Sequence, residues 1–415
     1  MQLLNRMKSF VLFIILFFIA QSFTLGSVID SLPTTKVKKI ITFVQHKYAP
    51  DKRTEIFNAY ISDSVSMILN IETTKAEAIR ELKALLDKAG ISCQLHEQIL
   101  PAKVLGDKTF GIANLSVCNN RLRPDNAAEM VTQILLGTPV EILKKEHGYY
   151  FLRTPDGYIS WTDEAGIIDM DRNEFKKWQT TDKIIYTREY GHSFEKHSVN
   201  SNPVSDLVAG NILQLLGKEK RFYKVAYPDG RIAYVTKKDA TLYKKWIAKP
   251  NPTPKEIIKT AITMVGVPYL WGGTSTKGVD CSGFTKTCYF LNGIMLPRDA
   301  SQQALVGEKV DIYDNDTVNM TKCIKNLQIG DLLFFGNINT RISNQKITHT
   351  AIYMGNGKFI QSAGFVRISS LLSDSPIYDD YQSRALVCAR RMITAIGTKE
   401  ISRIDQHPFY NTDNK

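Results

Sequence analysis

The stretch that most constrains the fold of this chain is the passage from an irregular segment into a helix at Cys281. Residues 266–273 contain three glycines and a proline, and a run of this kind does not stay helical. Residues 284–291 are compatible with a helix, and the Asn-Gly pair that follows is a typical helix stop. The chain is therefore predicted to enter a helix close to the cysteine.

This placement gives Cys281 a possible chemical role. A thiol in the first turn of a helix meets unpaired backbone N–H groups and the positive end of the helix dipole. Both favour thiolate over thiol, which makes a nucleophile at neutral pH. A second interpretation is a small buried hydrophobic residue, and the cysteine alone leaves both open.

The residues downstream favour the first interpretation. Residues 330–335 are typical of a buried strand, and residues 347–354 and 358–362 form a predicted hairpin around a three-residue Gly-Asn-Gly turn. His349 lies on one strand of this hairpin and Gln361 on the other. An odd-numbered loop puts them on the same sheet face. A cysteine at a helix start, a histidine on a strand and a polar residue beside it are typical of a cysteine hydrolase.

At this point the sequence resembles the NlpC/p60 family of cell-wall peptidases. The resemblance is carried by five motifs in order: YLWGG at 269–273, DCSGF at 280–284, LPRD at 296–299, GDLLFF at 330–335 and HTAIY at 349–353. It covers about residues 253–392. It implies a papain-like fold and hydrolysis of peptide bonds in peptidoglycan stems.

The resemblance assigns roles to the site residues. Cys281 is the expected nucleophile and His349 the expected base, and Gln361 stands where the family carries a polar residue that orients the base. Tyr269 is expected to help the Cys281 backbone N–H to hold the oxyanion, with an aromatic packed under the cleft as the alternative. Cys288, two turns along the same helix, is expected in the core.

Seven further residues are candidates for substrate binding: Glu129, Tyr158, Trp271, Asp280, Ser282, Arg298 and Asp299. Trp271 is expected to form a cleft wall, while Asp280 either binds substrate or only caps the helix. The resemblance implies that Glu129, Tyr158 and Asp299 converge on a free substrate amine. The alternative is that Glu129 caps a surface turn and Tyr158 is barrel core.

An internal repeat precedes this domain. The segment Pro155-Asp156-Gly157-Tyr158-Ile159 recurs 73 residues later as Pro228-Asp229-Gly230-Arg231-Ile232, in a background of short strand patterns. A repeat of this size fits two small β-barrels in tandem. Both resemble bacterial SH3-like domains, and only the first has the tyrosine suited to an amine pocket.

The expected fold class is α+β, and the chain divides into six expected segments. They are a secretory signal at 1–26, a mainly helical segment at 27–105, SH3-like domains at 106–170 and 175–246, the catalytic domain at 253–392 and a frayed polar tail at 396–415. Arg6 and Lys8 before an eleven-residue apolar run predict export to the periplasm or cell surface without a stable membrane anchor.

The composition excludes several classes of function. The formal net charge is +12, but no dense basic run is interleaved with aromatic residues, so nucleic-acid binding is disfavoured. The six cysteines show no paired framework, so no structural disulfides are expected. Neither CxxC nor HExxH occurs, so no metal or other cofactor is expected.

The closest resemblance is to γ-D-glutamyl-L-diamino acid endopeptidases with two SH3-like domains before the catalytic domain. It implies cleavage of peptidoglycan stem peptides, tripeptides or tetrapeptides, between γ-linked D-glutamate and the diamino acid. Two alternatives remain open at this stage. One is an amidase cut between sugar and stem, and the other is a non-catalytic wall-binding protein.

Overall fold

The computed structural model describes residues 33–315, 317–337 and 346–411. The chain divides into two compact units, residues 1–103 and 104–415. The expected secretory signal at 1–26 lies outside the described residues. Over the ranges just given, every helix is too short or too polar to cross a bilayer.

The first unit is a small α/β structure. Its elements are α1 (Pro33–Tyr48), β1 (Phe57–Asp63), β2 (Ile68–Thr73), α2 (Ala76–Lys88) and β3 (Gln94–Ile99). The sheet order is β1-β2-β3, with β1 and β2 antiparallel and β2 and β3 parallel. Ile79, Leu82 and Leu86 of α2 are buried, as the helical periodicity predicts. The prediction of a mainly helical segment is wrong for the three strands of this unit, because alternating residues such as Leu69 and Ile71 bury one face of a sheet.

The second unit begins with two seven-stranded sheets. The first contains β4 (Phe110–Ala113), β5 (Val117–Arg121), β6 (Met130–Leu135), β7 (Pro139–Glu146), β8 (Tyr149–Arg153), β9 (Ile159–Asp163) and β10 (Ile167–Met170), followed by α3 (Arg172–Thr180). The second contains β11 (Lys183–Tyr186), β12 (Tyr190–Phe194), β13 (Pro203–Val208), β14 (Ile212–Glu219), β15 (Phe222–Ala226), β16 (Ile232–Thr236) and β17 (Ala240–Leu242), followed by α4 (Tyr243–Ile247).

The two sheets share one topology. The first has the order β10-β4-β7-β8-β9-β5-β6, and the second has β17-β11-β14-β15-β16-β12-β13, which is the same order seven strands on. The repeated Pro-Asp-Gly turn also recurs in detail. Gly157 (φ 83°) donates to Thr154 O, and Gly230 (φ 87°) donates to Tyr227 O. Because this left-handed backbone favours glycine, the same turn residue serves both sheets.

The remainder of the unit contains several helices, one of which packs on an antiparallel sheet. The helices are α5 (Pro254–Thr263), α6 (Cys281–Phe290), α7 (Ala300–Gln303), α8 (Met320–Asn326) and α9 (Asp380–Ala385). The strands are β18 (Thr274–Ser275), β19 (Gly278–Val279), β20 (Ile294–Met295), β21 (Glu308–Val310), β22 (Tyr313–Asp314), β23 (Thr317–Val318), β24 (Leu332–Phe335), β25 (His349–Gly355), β26 (Lys358–Ala363), β27 (Phe365–Ser370), β28 (Leu386–Arg391) and β29 (Ser402–Arg403). The main sheet has the order β21-β28-β24-β25-β26-β27.

One core joins α6 to this sheet. Phe284, Cys288 and Tyr289 of α6 are fully buried against Ile352 of β25 and Ile360 of β26. The core position expected for Cys288 is therefore confirmed, and so is the α+β fold class. This packing fixes the start of α6 above strands β25 and β26.

The C-terminal segment is not a frayed tail where it is described. Ile401 and Ile404 are fully buried, and β29 pairs with β20. The Arg403 guanidinium donates to Ile247 O and Lys249 O, both at 3.0 Å. The prediction from polar composition is wrong here because two isoleucines anchor the segment in apolar cores.

The hairpin β18–β19, directly before Cys281, touches both seven-stranded sheets. Thr274 N donates to Gln133 Oε1 of the first sheet at 3.0 Å. Lys277 Nζ lies 3.2 Å from Ser116 Oγ beside the first sheet and 2.5 Å from Asp206 Oδ2 in the second. The segment that leads into α6 is thus fixed by residues far away in the sequence.

Candidate active site

Cys281 is the first residue of α6, as the sequence predicts. The helix begins there because the Asp280 side chain caps it, accepting from Gly283 N at 2.6 Å. Gly283 is required sterically, since a Cβ at this position would lie 1.9 Å from Gly273 O. The start of α6 is therefore pressed against the preceding irregular segment.

Cys281 is only 7% exposed, and burial raises the pKa of its thiol to about 12. The charge of Asp280 raises this pKa further, while the backbone N–H groups of Thr350 and Ser282 lower it. Burial therefore opposes the thiolate that the helix start favours. The helix-start amide acts in the predicted direction, but desolvation of the charged form outweighs it.

His349 begins β25, and its Nε2 lies 2.7 Å from Oε1 of Gln361 on β26. Burial lowers the pKa of His349, and the hydrogen bond with Gln361 and the charge of Asp379 oppose this shift. Burial thus acts against the charged form of both groups, the imidazolium and the thiolate. The structure thus brings His349 and Gln361 together, as the sequence predicts.

A bulge, rather than a three-residue loop, puts His349 and Gln361 on one face. β25 ends at Gly355 and β26 begins at Lys358, which leaves the two-residue loop Asn356-Gly357, with φ of 51° and 75°. The register then shifts between Tyr353 and Gly355. Because one extra residue restores the parity of the pairing, the shared face survives although the predicted loop is wrong in length.

Behind the nucleophile lies a buried ion pair. Arg298 is 1% exposed, and its NH2 group donates to Asp280 Oδ2 at 2.6 Å. Its NH1 donates to Ser282 Oγ at 3.0 Å, and its Nε donates to Thr132 Oγ1 of the first seven-stranded sheet at 2.8 Å. Burial opposes the charged guanidinium, but the charge and hydrogen bonds of Asp280 hold the Arg298 pKa above its usual range. Asp280 is therefore a helix cap and an ion-pair partner at once.

The remaining candidates surround this pair. Trp271 is 61% exposed and its Nε1 donates to Glu129 Oε1 at 2.8 Å. Tyr158 is buried, and its phenol and Asp299 both lie close enough to Arg298 to raise the pKa of the guanidinium. Asp299 also caps α7. The Glu129 carboxylate thus contacts the catalytic domain, whereas the burial of Tyr158 fits the alternative of a barrel-core residue equally well.

Tyr269 lies beside the strand that leads to the nucleophile, bridging to Val279. Burial and the nearby Cys281 and Asp280 raise the pKa of its phenol, which therefore keeps its proton. A protonated phenol is a hydrogen-bond donor, as an oxyanion site requires.

Three contributors to the site were missed from the sequence. Thr132 and Gln133 reach it from the first seven-stranded sheet, and Asp379 accepts from Gln361 Nε2 at 2.9 Å. The only local signal for Asp379 is an acidic residue placed as the cap of α9. Among the described residues, no three His, Cys, Asp or Glu side chains are grouped to hold a metal. All six cysteines are free.

Comparison with known proteins matches two family models. The NlpC/P60 family model matches residues 266–391, and the model of the bacterial dipeptidyl-peptidase Sh3 domain matches residues 120–167. The gamma-D-glutamyl-L-lysine dipeptidyl-peptidase of Bacillus cereus is 33% identical over 57% of this chain and 68% of its own length. Dipeptidyl-peptidase 6 of Lysinibacillus sphaericus is 26% identical over 63% of this chain and 92% of its own.

A solved structure of an NlpC/P60 family protein has a similar fold. The crystal structure of an NlpC/P60 family protein from Bacillus cereus has a TM-score of 0.56 and 25% sequence identity. The match covers 68% of this chain and 99% of that one.

Proposed function

Because the chain belongs to the NlpC/P60 family of cysteine peptidases, we propose that it cleaves peptidoglycan stem peptides after γ-linked D-glutamate. Two relatives are named as dipeptidyl-peptidases, one of them specific in its name for γ-D-glutamyl-L-lysine. The observation that carries the proposal is the pairing of His349 with Gln361 beside Cys281 at the start of α6. The proposed substrate has a free N-terminal L-alanine and a diamino acid after the glutamate.

The reaction uses Cys281 and His349. The thiol proton passes to the free nitrogen of the imidazole as Sγ bonds to the scissile carbonyl carbon, whose π electrons move onto oxygen. Tyr269 and the Cys281 backbone N–H donate to that oxyanion. His349 returns the proton to the leaving amine, and water then hydrolyses the thioester to regenerate the thiol.

The burial of both groups gives this step a physical reason. Each charge alone is disfavoured by burial, since burial raises the thiol pKa and lowers the imidazole pKa. Transfer of one proton creates both charges together, so their attraction offsets the desolvation of each. The substrate carbonyl then accepts the sulfur charge.

The free amine of the substrate is proposed to bind where the first seven-stranded sheet meets the catalytic domain. Glu129 supplies a carboxylate beside Trp271, and Tyr158 and Asp299 lie around Arg298. Carboxylates and a phenol suit an ammonium group. An N-blocked stem offers no ammonium to these carboxylates and forgoes a charge-assisted hydrogen bond, a loss of about 1.5–3 kcal/mol.

The test compares L-Ala-γ-D-Glu-L-Lys with its N-acetylated form by mass spectrometry of the products. The free tripeptide is expected to have a kcat/KM about 10- to 100-fold higher. Glu129→Gln is expected to shrink this ratio, whereas Glu164→Gln, in the exposed turn between β9 and β10, leaves it unchanged. Equal kcat/KM for both peptides refutes the amine pocket, and hydrolysis of neither refutes the proposed bond.

Export is part of the proposal. It rests on the basic pair Arg6 and Lys8 and on the apolar run that follows them, since the substrate polymer lies outside the cytoplasm. Processing at the expected site would give a mature N-terminus near residue 27, which N-terminal sequencing of protein from the source cells would detect.

A further inference from the structure

Gln361 is a neutral amide at a position where a charged or titratable partner would stabilise imidazolium better. It is fully buried, and its Oε1 lies 2.7 Å from His349 Nε2. An amide can orient the imidazole, but it carries no net charge to balance the proton that His349 receives during the reaction. A carboxylate on the other side of Gln361, that of Asp379, supplies this charge.

The far side of the Gln361 amide meets a carboxylate. Its Nε2 donates to Asp379 Oδ2 at 2.9 Å and to Ser369 Oγ at 2.9 Å. The Asp379 side chain is 14% exposed. This contact joins β26 to the segment before α9, eighteen residues apart in the chain.

Three contacts hold Asp379 in place independently of Gln361. Its backbone N donates to Ser370 O at 3.0 Å, and its Oδ1 accepts from Gln382 N at 3.2 Å as the cap of α9. Arg367 NH2 lies 3.4 Å from Oδ2. The carboxylate is therefore a fixed charge rather than a mobile surface group.

We propose that Asp379 is a positioning residue of the catalytic site, which sets the orientation of Gln361 and stabilises the protonated form of His349 through it. The proposal rests on the function argued above only in assuming that Cys281 and His349 carry the reaction.

The hydrogen-bond logic fixes one tautomer of the base. A carboxylate only accepts, so the nitrogen of the Gln361 amide must face Asp379 and its oxygen must face His349. The imidazole must then carry hydrogen on Nε2. In the neutral ring this leaves the lone pair on Nδ1, which is free to take the thiol proton of Cys281. The proton moves from Sγ to Nδ1, and Asp379 keeps its charge throughout.

The charges that face His349 come from several elements. Asp379 before α9 and Asp280 before α6 favour the imidazolium, whereas Arg367 on β27 opposes it. The buried Cys281 thiol on α6 is the group that exchanges the proton. Removing the Asp379 charge therefore shifts the His349 protonation equilibrium towards lower pH.

The test begins with Asp379→Asn, because a single asparagine oxygen cannot serve both Gln382 N and Gln361 Nε2. If the cap is kept, the asparagine presents N–H to Gln361, which must turn over and put its own N–H against His349. The wrong tautomer follows. We expect kcat for the tripeptide to fall at least about 10-fold, the loss typical of an orienting partner, with KM little changed.

The pH dependence of Cys281 alkylation by iodoacetamide provides a readout that needs no peptide substrate. In Asp379→Asn its acidic limb is expected to move to lower pH, and the maximal rate to fall. Asp380→Asn is the matched control, since Asp380 is the neighbouring carboxylate on α9, exposed and paired with Arg384. It should leave both kinetics and alkylation as in the wild type.

The decisive variant is the double substitution Gln361→Glu with Asp379→Asn, which moves the carboxylate next to His349. The introduced glutamate would accept from His349 Nε2–H, and the introduced asparagine would donate to that glutamate while still capping α9. Recovery of at least about 10-fold in kcat and in the alkylation rate over Asp379→Asn supports the proposal. A structural role for Asp379 predicts no recovery.

Two results overturn the proposal. One is an Asp379→Asn protein with wild-type kcat and an unshifted alkylation profile. The other is a folded double variant no more active than Asp379→Asn. If Asp379→Asn fails to fold, the double variant still tests the proposal, because it retains the cap and all the hydrogen-bond partners. A wild type that alkylates normally but cleaves no tripeptide counts against the proposed substrate, not against Asp379.

Discussion

The two partners of the buried ion pair behind Cys281 should not be equally costly to remove. Asp280→Asn leaves the Arg298 guanidinium charged in a site where it is 1% exposed. Its other contacts are neutral hydroxyl acceptors, Ser282 and Thr132, and the carboxylate of Asp299 at 3.9 Å. Since the Asp299 contact is long, the buried charge is left largely uncompensated, which costs about 3–5 kcal/mol of unfolding free energy.

Arg298→Met leaves the opposite charge in a better site. The Asp280 carboxylate still accepts from Gly283 N at 2.6 Å and from Gly272 N at 3.0 Å. Backbone N–H groups stabilise an anion, and methionine refills much of the apolar volume of the arginine stem. The expected loss is therefore smaller, about 1–3 kcal/mol for the hydrogen bonds to charged groups.

Urea unfolding followed by far-UV circular dichroism measures this difference at one pH. Asp280→Asn should have the lower midpoint, by an amount equivalent to about 2 kcal/mol relative to Arg298→Met. Arg384→Met serves as the control because its pair with Asp380 is 58% exposed on both sides and should cost less than about 1 kcal/mol. If Asp280→Asn is no less stable than Arg298→Met, the assignment of backbone groups as the support of the Asp280 charge is wrong.

Three shorter predictions concern the same site. Gln361→Ala should lower kcat more than it raises KM while Gln361→His retains activity, and steady-state kinetics matching wild type for the alanine variant would make Gln361 a hairpin residue only. Burial lowers the His349 pKa, so the base stays neutral to lower pH. The acidic limb of the kcat/KM profile should therefore have its midpoint below about pH 6.5, with activity lost as the pH drops through it. A midpoint above about pH 7 contradicts this. Gly283→Ala should destabilise the start of α6, because the new Cβ would meet Gly273 O, and an unchanged thermal midpoint would refute the close approach.

The sequence was informative wherever structure is set by neighbours along the chain. The capping box of α5, formed by Thr253 and Glu256 with Pro254 between them, is of this kind, because side-chain capping is decided within about four residues. The start of α6 at Cys281 and the repeated Pro-Asp-Gly turn follow for the same reason. The prediction of a mainly helical N-terminal segment failed because a stretch such as β1 becomes a strand only when a sheet partner buries one of its faces.

Local chemistry in this chain therefore determined which residues could react: a cysteine opening a helix and a histidine and a glutamine on adjacent strands. The tertiary structure alone decided how they are tuned. Burial of Cys281 reverses the effect that the helix start has on the thiol, and the bulge near Met354 sets the shared face of His349 and Gln361. Asp379 meets Gln361 through a contact between segments that no spacing rule links. Desolvation and charge depend on everything within a few ångströms of a group, whereas a sequence lists only its neighbours along the chain.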